Sequence, residues 1–206
     1  MVWQPNGNSA VIQITESNEN FAVARVISEG IVGSNKGISV DNHLSLPPFT
    51  HKDLTAIEIA HRLKQKTIFI SFCSSSDQIN YLREKFSYSI YVIAKIESVQ
   101  GLNNLNTICL EADAILIDRG DLSRDVSKEK VPYAQDFIVD LSRKHNTPVY
   151  VATNLMENMI SNSTPTRAEV HDIVKSLEGG VDGLVLAAET AIGKFPFETI
   201  VFFLIL

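Results

Sequence analysis

Positive charge in excess is the first thing this sequence lacks. Its 206 residues carry 18 Lys and Arg against 24 Asp and Glu, a formal net charge of -6 with a pI near 5.4. Nucleic-acid affinity rests largely on neutralising backbone phosphates with Lys and Arg, so this balance points away from nucleic acid and toward a small-molecule partner. Cysteine is scarce as well. Cys73 and Cys109 stand far apart with no Cys or His at metal-ligand spacing, which indicates neither a disulfide framework nor a zinc site and fits a reducing, cytoplasmic setting. Long hydrophobic runs are missing too. The longest, "IVFFLIL" at the end of the chain, is far short of the roughly 20 residues that a membrane span needs and reads as the start of a buried helix, so no membrane partner is expected. The opening "MVWQPNGNSA" has neither the basic start nor the apolar run of a signal peptide. The five histidines, at 43, 51, 61, 145 and 171, share no spacing and read as surface or packing residues.

What the sequence does have is material for a core: 45% of its residues are hydrophobic and 20% charged, the ordinary mixture of a globular protein. Residues 10 to 41 have a β texture, with "AVIQIT" and "FAVARVI" followed by a Gly- and Asn-rich reversal within "EGIVGSNKGISV". A Pro-Pro break in "LSLPPFTHKDL" follows. Thr50 and Asp53, three residues apart, then predict a capped helix through "TAIEIAHRLK". Beyond it, the short apolar runs "TIFISF", "YVIAKI", "DAILID", "PVYVAT" and "GLVLA" alternate with stretches of helical spacing such as "SDQINYLREKF" and "YAQDFIVDLSRKH". Regular alternation of this kind predicts βα units and a parallel sheet. Polar or small residues close each run, at Ser71, Glu97, Asp118 to Asp121, Thr153 and Asn154, and Glu189 and Thr190. A TIM-barrel mouth gathers chemistry at the carboxyl ends of its strands, as does an open doubly wound sheet.

Three of these ends attract attention. In "VIAKIESVQGLNNL", Lys95 and Glu97 project to one side of a strand while Ala94 and Ile96 project to the other. "DRGDL" places Arg119, Gly120 and Asp121 past the next run, and "ATNLM" places Thr153 past the one after. Two carboxylates from adjacent strand ends, Glu97 and Asp121, suit a hard divalent cation such as Mg²⁺, and a protonated Lys95 beside them would act as an electrophile. Bland uses exist for each group. A structural ion pair is the commoner use of a Lys/Glu pair, Thr153 could cap the helix that follows, and "TPTRAE" could be a helix start with Pro165 near its first turn.

Taken together and in order, "IAKIESVQGLNNL", "ADAILIDRGDL", "PVYVATNLMENMI", "STPTRAEVHDIV" and "GLVLAAETAIGKFPFETI" resemble the successive signatures of the pyruvate kinase family. "GIVGSNKGISV" and "LSLPPFTHKDL" are similar to that family's exit from its β-rich lid domain and return to the barrel. The resemblance implies an α/β fold, a partial TIM (β/α) barrel with a remnant of a small β lid domain. Residues 1–43 would be the C-terminal part of the lid, and residues 44–206 the last five strands of the barrel. The earlier strands would lie before Met1 and a regulatory domain after Leu206.

Residue by residue, the resemblance implies that Lys95 stabilises the phosphoryl group passing between phosphoenolpyruvate and ADP, giving pyruvate and ATP. Glu97 and Asp121 would hold Mg²⁺ or Mn²⁺. Thr153, with the backbone around Gly120 and Asp121, would hold the substrate carboxylate, so that Lys95 and Thr153 are the catalytic pair. K⁺ is expected for the family, although its usual ligands belong to the strands expected before Met1. Departures from the family pattern are Ala187 and Ala188 before "ET", Ile192 in place of a lysine, Asn154 in place of a glutamine and Ser123 in place of a glycine. With them, and with the family's phosphate-binding arginine and K⁺ ligands belonging to the strands expected before Met1, activity impaired by truncation is expected. So is either self-association or a partner chain that supplies the missing strands. A non-catalytic module that binds metal and a keto acid, or that completes another barrel, is the alternative. A pyruvate-dependent aldolase is less compatible with Lys95 and "PTRAE".

Overall fold

The computed structural model describes residues 10–30, 40 and 47–206. The chain divides into two units, Met1–Pro47 and Pro48–Leu206. In the first, β1 (Val11–Ser17) and β2 (Ala22–Ser28) form an antiparallel hairpin. Asn18 makes the turn, its Oδ1 accepting from the backbone N–H groups of Asn20 and Phe21 at 2.9 and 3.0 Å, the local bonding for which Asn is favoured at reversals. The reversal expected within "EGIVGSNKGISV" falls mostly on residues 31–39, and the expected 43/44 boundary falls on residues 41–46; both lie outside the described residues.

In the second unit, helix α1 (His51–Arg62) starts as the sequence predicts. Thr50 Oγ1 accepts from the Asp53 N–H at 3.3 Å, and Asp53 Oδ2 accepts from the Thr50 N–H at 2.7 Å, the reciprocal capping box. These bonds from Thr50 hold the Asp53 carboxyl below its ordinary pKa. The chain continues through β3 (Thr67–Ile70), α2 (Ser76–Glu84), β4 (Tyr91–Ile96), α3 (Val99–Asn103), α4 (Leu105–Glu111), β5 (Ala114–Asp118), α5 (Arg119–Asp125) and α6 (Val131–Lys144). It ends with β6 (Val149–Ala152), α7 (Arg167–Glu178), β7 (Gly183–Val185), α8 (Ala188–Ala191) and α9 (Pro196–Ile205). Short 3-10 turns at Lys128–Lys130 and Glu157–Ile160 precede α6 and follow β6. At α7 the cap is Thr166, so Pro165 stands just outside the helix, next to its first turn as expected.

All five strands of this unit are parallel and lie in chain order, β3-β4-β5-β6-β7. The fold is therefore α/β, part of a (β/α) barrel. Strand parity then sorts the side chains. Val92, Ala94, Ile96, Ile115, Ile117, Val149 and Val151 turn to one face and join a single buried cluster with Ile79, Leu82, Leu105, Ile108 and Ile138 of the helices. Their neighbours Ile93, Ala114, Leu116 and Ala152 turn the other way and form a second, smaller cluster with Tyr150. In the register this second face also carries Phe69, opposite Ile93, and Val185, opposite Ala152; both are exposed, as is Tyr91. The tail helix α9 forms as expected, but Thr199 is its one buried residue while Phe197, Leu204 and Ile205 are exposed. The expectation of a buried helix is thus corrected: only Phe202 and Phe203 reach the main cluster.

Ile117 is fully buried at the centre of the sheet, whereas Tyr133 on α6 is 75% exposed. Ile117→Ala is expected to lower stability in urea unfolding by about 2–5 kcal/mol, the range for truncating a buried aliphatic side chain. Tyr133→Ala is expected to change it by less than about 0.5 kcal/mol.

Candidate functional site

The carboxyl ends of β4, β5 and β6 bring the predicted residues to one place. Lys95 is paired with Leu116 and Asp118 with Ala152 in the parallel registers, so Lys95, Leu116, Asp118 and Ala152 all stand on the face away from the helices. Lys95 Nζ reaches Glu97 Oε1 at 2.5 Å and Asp118 Oδ2 at 3.1 Å. The Glu97 side chain is completely shielded from solvent and that of Lys95 is 20% exposed. The other Glu97 oxygen accepts from the Phe72 backbone N–H at 2.6 Å. Phe72 sits at φ 50° just past β3, so β3 contributes an amide to the site.

Burial works against the charge of Lys95, but hydrogen bonds and attraction from Glu97 and Asp118 outweigh it, and the ammonium is held above its ordinary pKa. Burial also pushes the Glu97 carboxyl up, against the pull of Lys95 and the Phe72 amide. A positive Lys95 is the consequence at neutral pH.

Asp121 lies in the first turn of α5 and pairs with Arg124 at 3.1 Å. One carboxylate oxygen from each of Glu97, Asp118 and Asp121 lies within 4.8 Å of the others. Sequence reasoning noted Asp118 as a strand-end polar residue and gave it no role. The signal was available in strand parity, since residues 116 and 118 share a face, but the register that puts that face beside Lys95 had to come from the structure. Within this group Glu97 and Asp121 are chemically right for Mg²⁺ or Mn²⁺, being hard carboxylate oxygens with no competing Cys or His beside them, while Asp118 is engaged by Lys95 and Thr153. Glu97 Oε1 is buried against the Lys95 ammonium, and a carboxylate oxygen in that position keeps a second lone pair for a cation.

Thr153 does not cap the turn that follows, whose cap is Met156. Its Oγ1 instead accepts from the Gly120 N–H at 2.8 Å, with Ala152 O at 2.6 Å and Asp118 Oδ1 at 3.1 Å competing for its single proton. The Asp121 N–H also points to Asp118 Oδ1, at 3.4 Å. Gly120 has little room for anything larger, because a Cβ there would come within 3.3 Å of Thr153 Oγ1. Ser123 donates from Oγ to Gly120 O at 2.8 Å, and Ile192 is 77% exposed.

Thr153 and Asn154 both adopt left-handed backbone, at φ 65° and 52°, a conformation that costs a non-glycine residue about 1 kcal/mol or more. Arg119 holds them there. Its guanidinium donates to Thr153 O at 3.2 and 3.1 Å and to Asn154 O at 2.7 Å, while Nη1 pairs with Asp172 of α7 at 2.7 Å.

Comparison with known proteins settles the family. The pyruvate kinase barrel-domain model matches residues 6–200. This chain belongs to the pyruvate kinase family. Curated pyruvate kinases similar to it include that of Trypanoplasma borreli, 39% identical over 172 residues, which are 83% of this chain and 34% of the relative. That of Mycobacterium intracellulare is 35% identical over 182 residues, 86% of this chain and 39% of the relative. That of Mycobacterium tuberculosis is 33% identical over 194 residues, 92% and 41%. The chain thus spans well under half the length of these pyruvate kinases.

Arg119 is nearly buried, 8% exposed, and three of its bonds end on the backbone carbonyls of Thr153 and Asn154. Arg119→Ala is expected to cost about 2–3 kcal/mol of stability in denaturant unfolding. Arg119→Lys should recover less than half of that loss, because an ammonium cannot reproduce the planar fork.

Proposed function

We propose that the chain carries the lysine-and-metal part of a pyruvate kinase site and takes part in phosphoryl transfer between phosphoenolpyruvate and ADP, giving pyruvate and ATP. The observation that supports this most directly is the meeting of Lys95, Glu97, Asp121 and Thr153 at the ends of three adjacent parallel strands.

Glu97 and Asp121 would hold the divalent cation. Bound there, Mg²⁺ or Mn²⁺ supplies charge compensation to the transferring group. Lys95, kept protonated by its carboxylate neighbours, places a fixed positive charge where the phosphoryl group spreads its negative charge between donor and acceptor oxygens. Thr153 and the backbone at Gly120 and Asp121 would orient the substrate through its carboxylate. Family membership also makes K⁺ a proposed cofactor, and a cytoplasmic setting the proposed location. Among the described residues no helix is long and apolar enough to cross a membrane.

A second reading has its own observation. Among the described residues β3 and β7 have no partner on their outer edges, and the sheet face away from the helices exposes Phe69, Tyr91 and Val185. Open, apolar parallel edges recruit other strands. A module that completes a barrel with another chain, or with a second copy of itself, fits that surface, and residues 1–43 would be the remnant of the lid.

Three measurements address these proposals. Mn²⁺ titration followed by paramagnetic relaxation should show binding that weakens about tenfold or more in the Glu97→Gln, Asp121→Asn double variant. In a coupled assay with phosphoenolpyruvate, ADP, Mg²⁺ and K⁺, any turnover should fall about 100-fold or more on Lys95→Met. Equal Mn²⁺ binding by the double variant would remove the metal assignment. Separately, sedimentation velocity over a concentration series should show self-association, and a monomer at every concentration would show that the sheet edges are protected.

A further inference from the structure

We infer that Asp118 fills, from within the chain, the position proposed for the substrate carboxylate, and so sets how tightly a 2-keto acid can bind. The inference rests on the carboxylate-binding role proposed for Thr153 and the backbone beside it. Its basis is that one oxygen of Asp118, Oδ1, is already placed against donors a substrate carboxylate would need, while the other pairs with the neighbouring Lys95. Oδ2 lies 3.1 Å from the Lys95 ammonium. Oδ1 lies 3.1 Å from the Thr153 hydroxyl and 3.4 Å from the Asp121 N–H. The remaining nearby amide, that of Gly120, is taken by Thr153 Oγ1 at 2.8 Å.

Asp118 is 8% exposed, and its backbone is fixed as the last residue of β5, in register with Ala152. An arriving carboxylate therefore meets a like charge that is attached to the site and cannot diffuse away. Tethering gives Asp118 a high effective concentration at these donors, and two carboxylates cannot share one hydroxyl proton and one ammonium without mutual repulsion. The site can still attract a divalent cation, because Asp121 reaches the same region without using these donors and Glu97 shares only the Lys95 ammonium with Asp118. Asp118 is thus a determinant of substrate affinity that acts by occupancy.

The test uses the whole chain with saturating Mg²⁺ and pyruvate as the probe, followed by saturation-transfer NMR of the pyruvate methyl group. Asp118→Ala should bind pyruvate about tenfold or more tightly than the unaltered chain, because it vacates the donors that the side chain occupies as well as removing its charge. Asp118→Asn, which removes the charge but keeps the bulk and an acceptor for the Asp121 N–H, should gain less than about threefold. If Asp118→Ala fails to fold, Asp118→Ser keeps a capping hydroxyl while withdrawing the carboxylate, and it should show the same gain. Mn²⁺ affinity should stay within about threefold in each variant, since loss of a true ligand costs more.

An equal gain in Asp118→Asn and Asp118→Ala would overturn occupancy in favour of simple charge. No gain in Asp118→Ala or Asp118→Ser, or a large loss of Mn²⁺ affinity in either, would overturn the inference outright. The metal assignment stands or falls separately, on the Glu97→Gln, Asp121→Asn variant.

Discussion

One ammonium between two carboxylates organises the end of this sheet. Lys95 leaves β4 and contacts Glu97 just past its own strand and Asp118 at the end of the next. An isolated charge at that depth would be expelled or neutralised, and each carboxylate without the lysine would face the same fate. The three groups are tolerable only together. They can be together only because β4 and β5 run parallel in a register that sets Lys95 beside Leu116 and Asp118 two residues further on. The helices behind the sheet maintain that register by burying Ala94, Ile96, Ile115 and Ile117 on the opposite face. Packing on one side of the sheet thus fixes electrostatics on the other.

Much of this could be read from the sequence, for definite reasons. The strands were legible because each is a short apolar run closed by polar residues: "YVIAKI" coincides with β4, and the other runs begin or end within three residues of their strands. The first helix was legible because Thr50 and Asp53 carry their capping chemistry in their spacing. Lys95 and Glu97 could be placed on one side from the two-residue period alone. Asp118 could not, because its nearness to Lys95 depends on the alignment of two strands separated by α3 and α4, and no local pattern records that alignment. The role of Arg119 was hidden for a similar reason. Its partners are main-chain carbonyls some 34 and 35 positions away, and a carbonyl has no letter in a sequence.

The apolar tail shows the opposite difficulty. "IVFFLIL" announces hydrophobicity, and hydrophobicity alone suggests burial, yet most of the large side chains of α9 lie on the surface. Composition reports what a segment prefers and says nothing of which surface is present to receive it. The same holds at Phe69 and Val185, whose strand positions are plain from the sequence while their exposure follows from where pairing stops.

The clamp made by Arg119 has a kinetic meaning. Because its guanidinium links the backbone of Thr153 and Asn154 to Asp172 on α7, the loop after β6 holds its unusual shape through bonds internal to the protein. Nothing in that shape waits for a ligand. Entry to the site therefore requires no ordering of this loop, and its contribution to an encounter is that of a fixed wall and not of a gate.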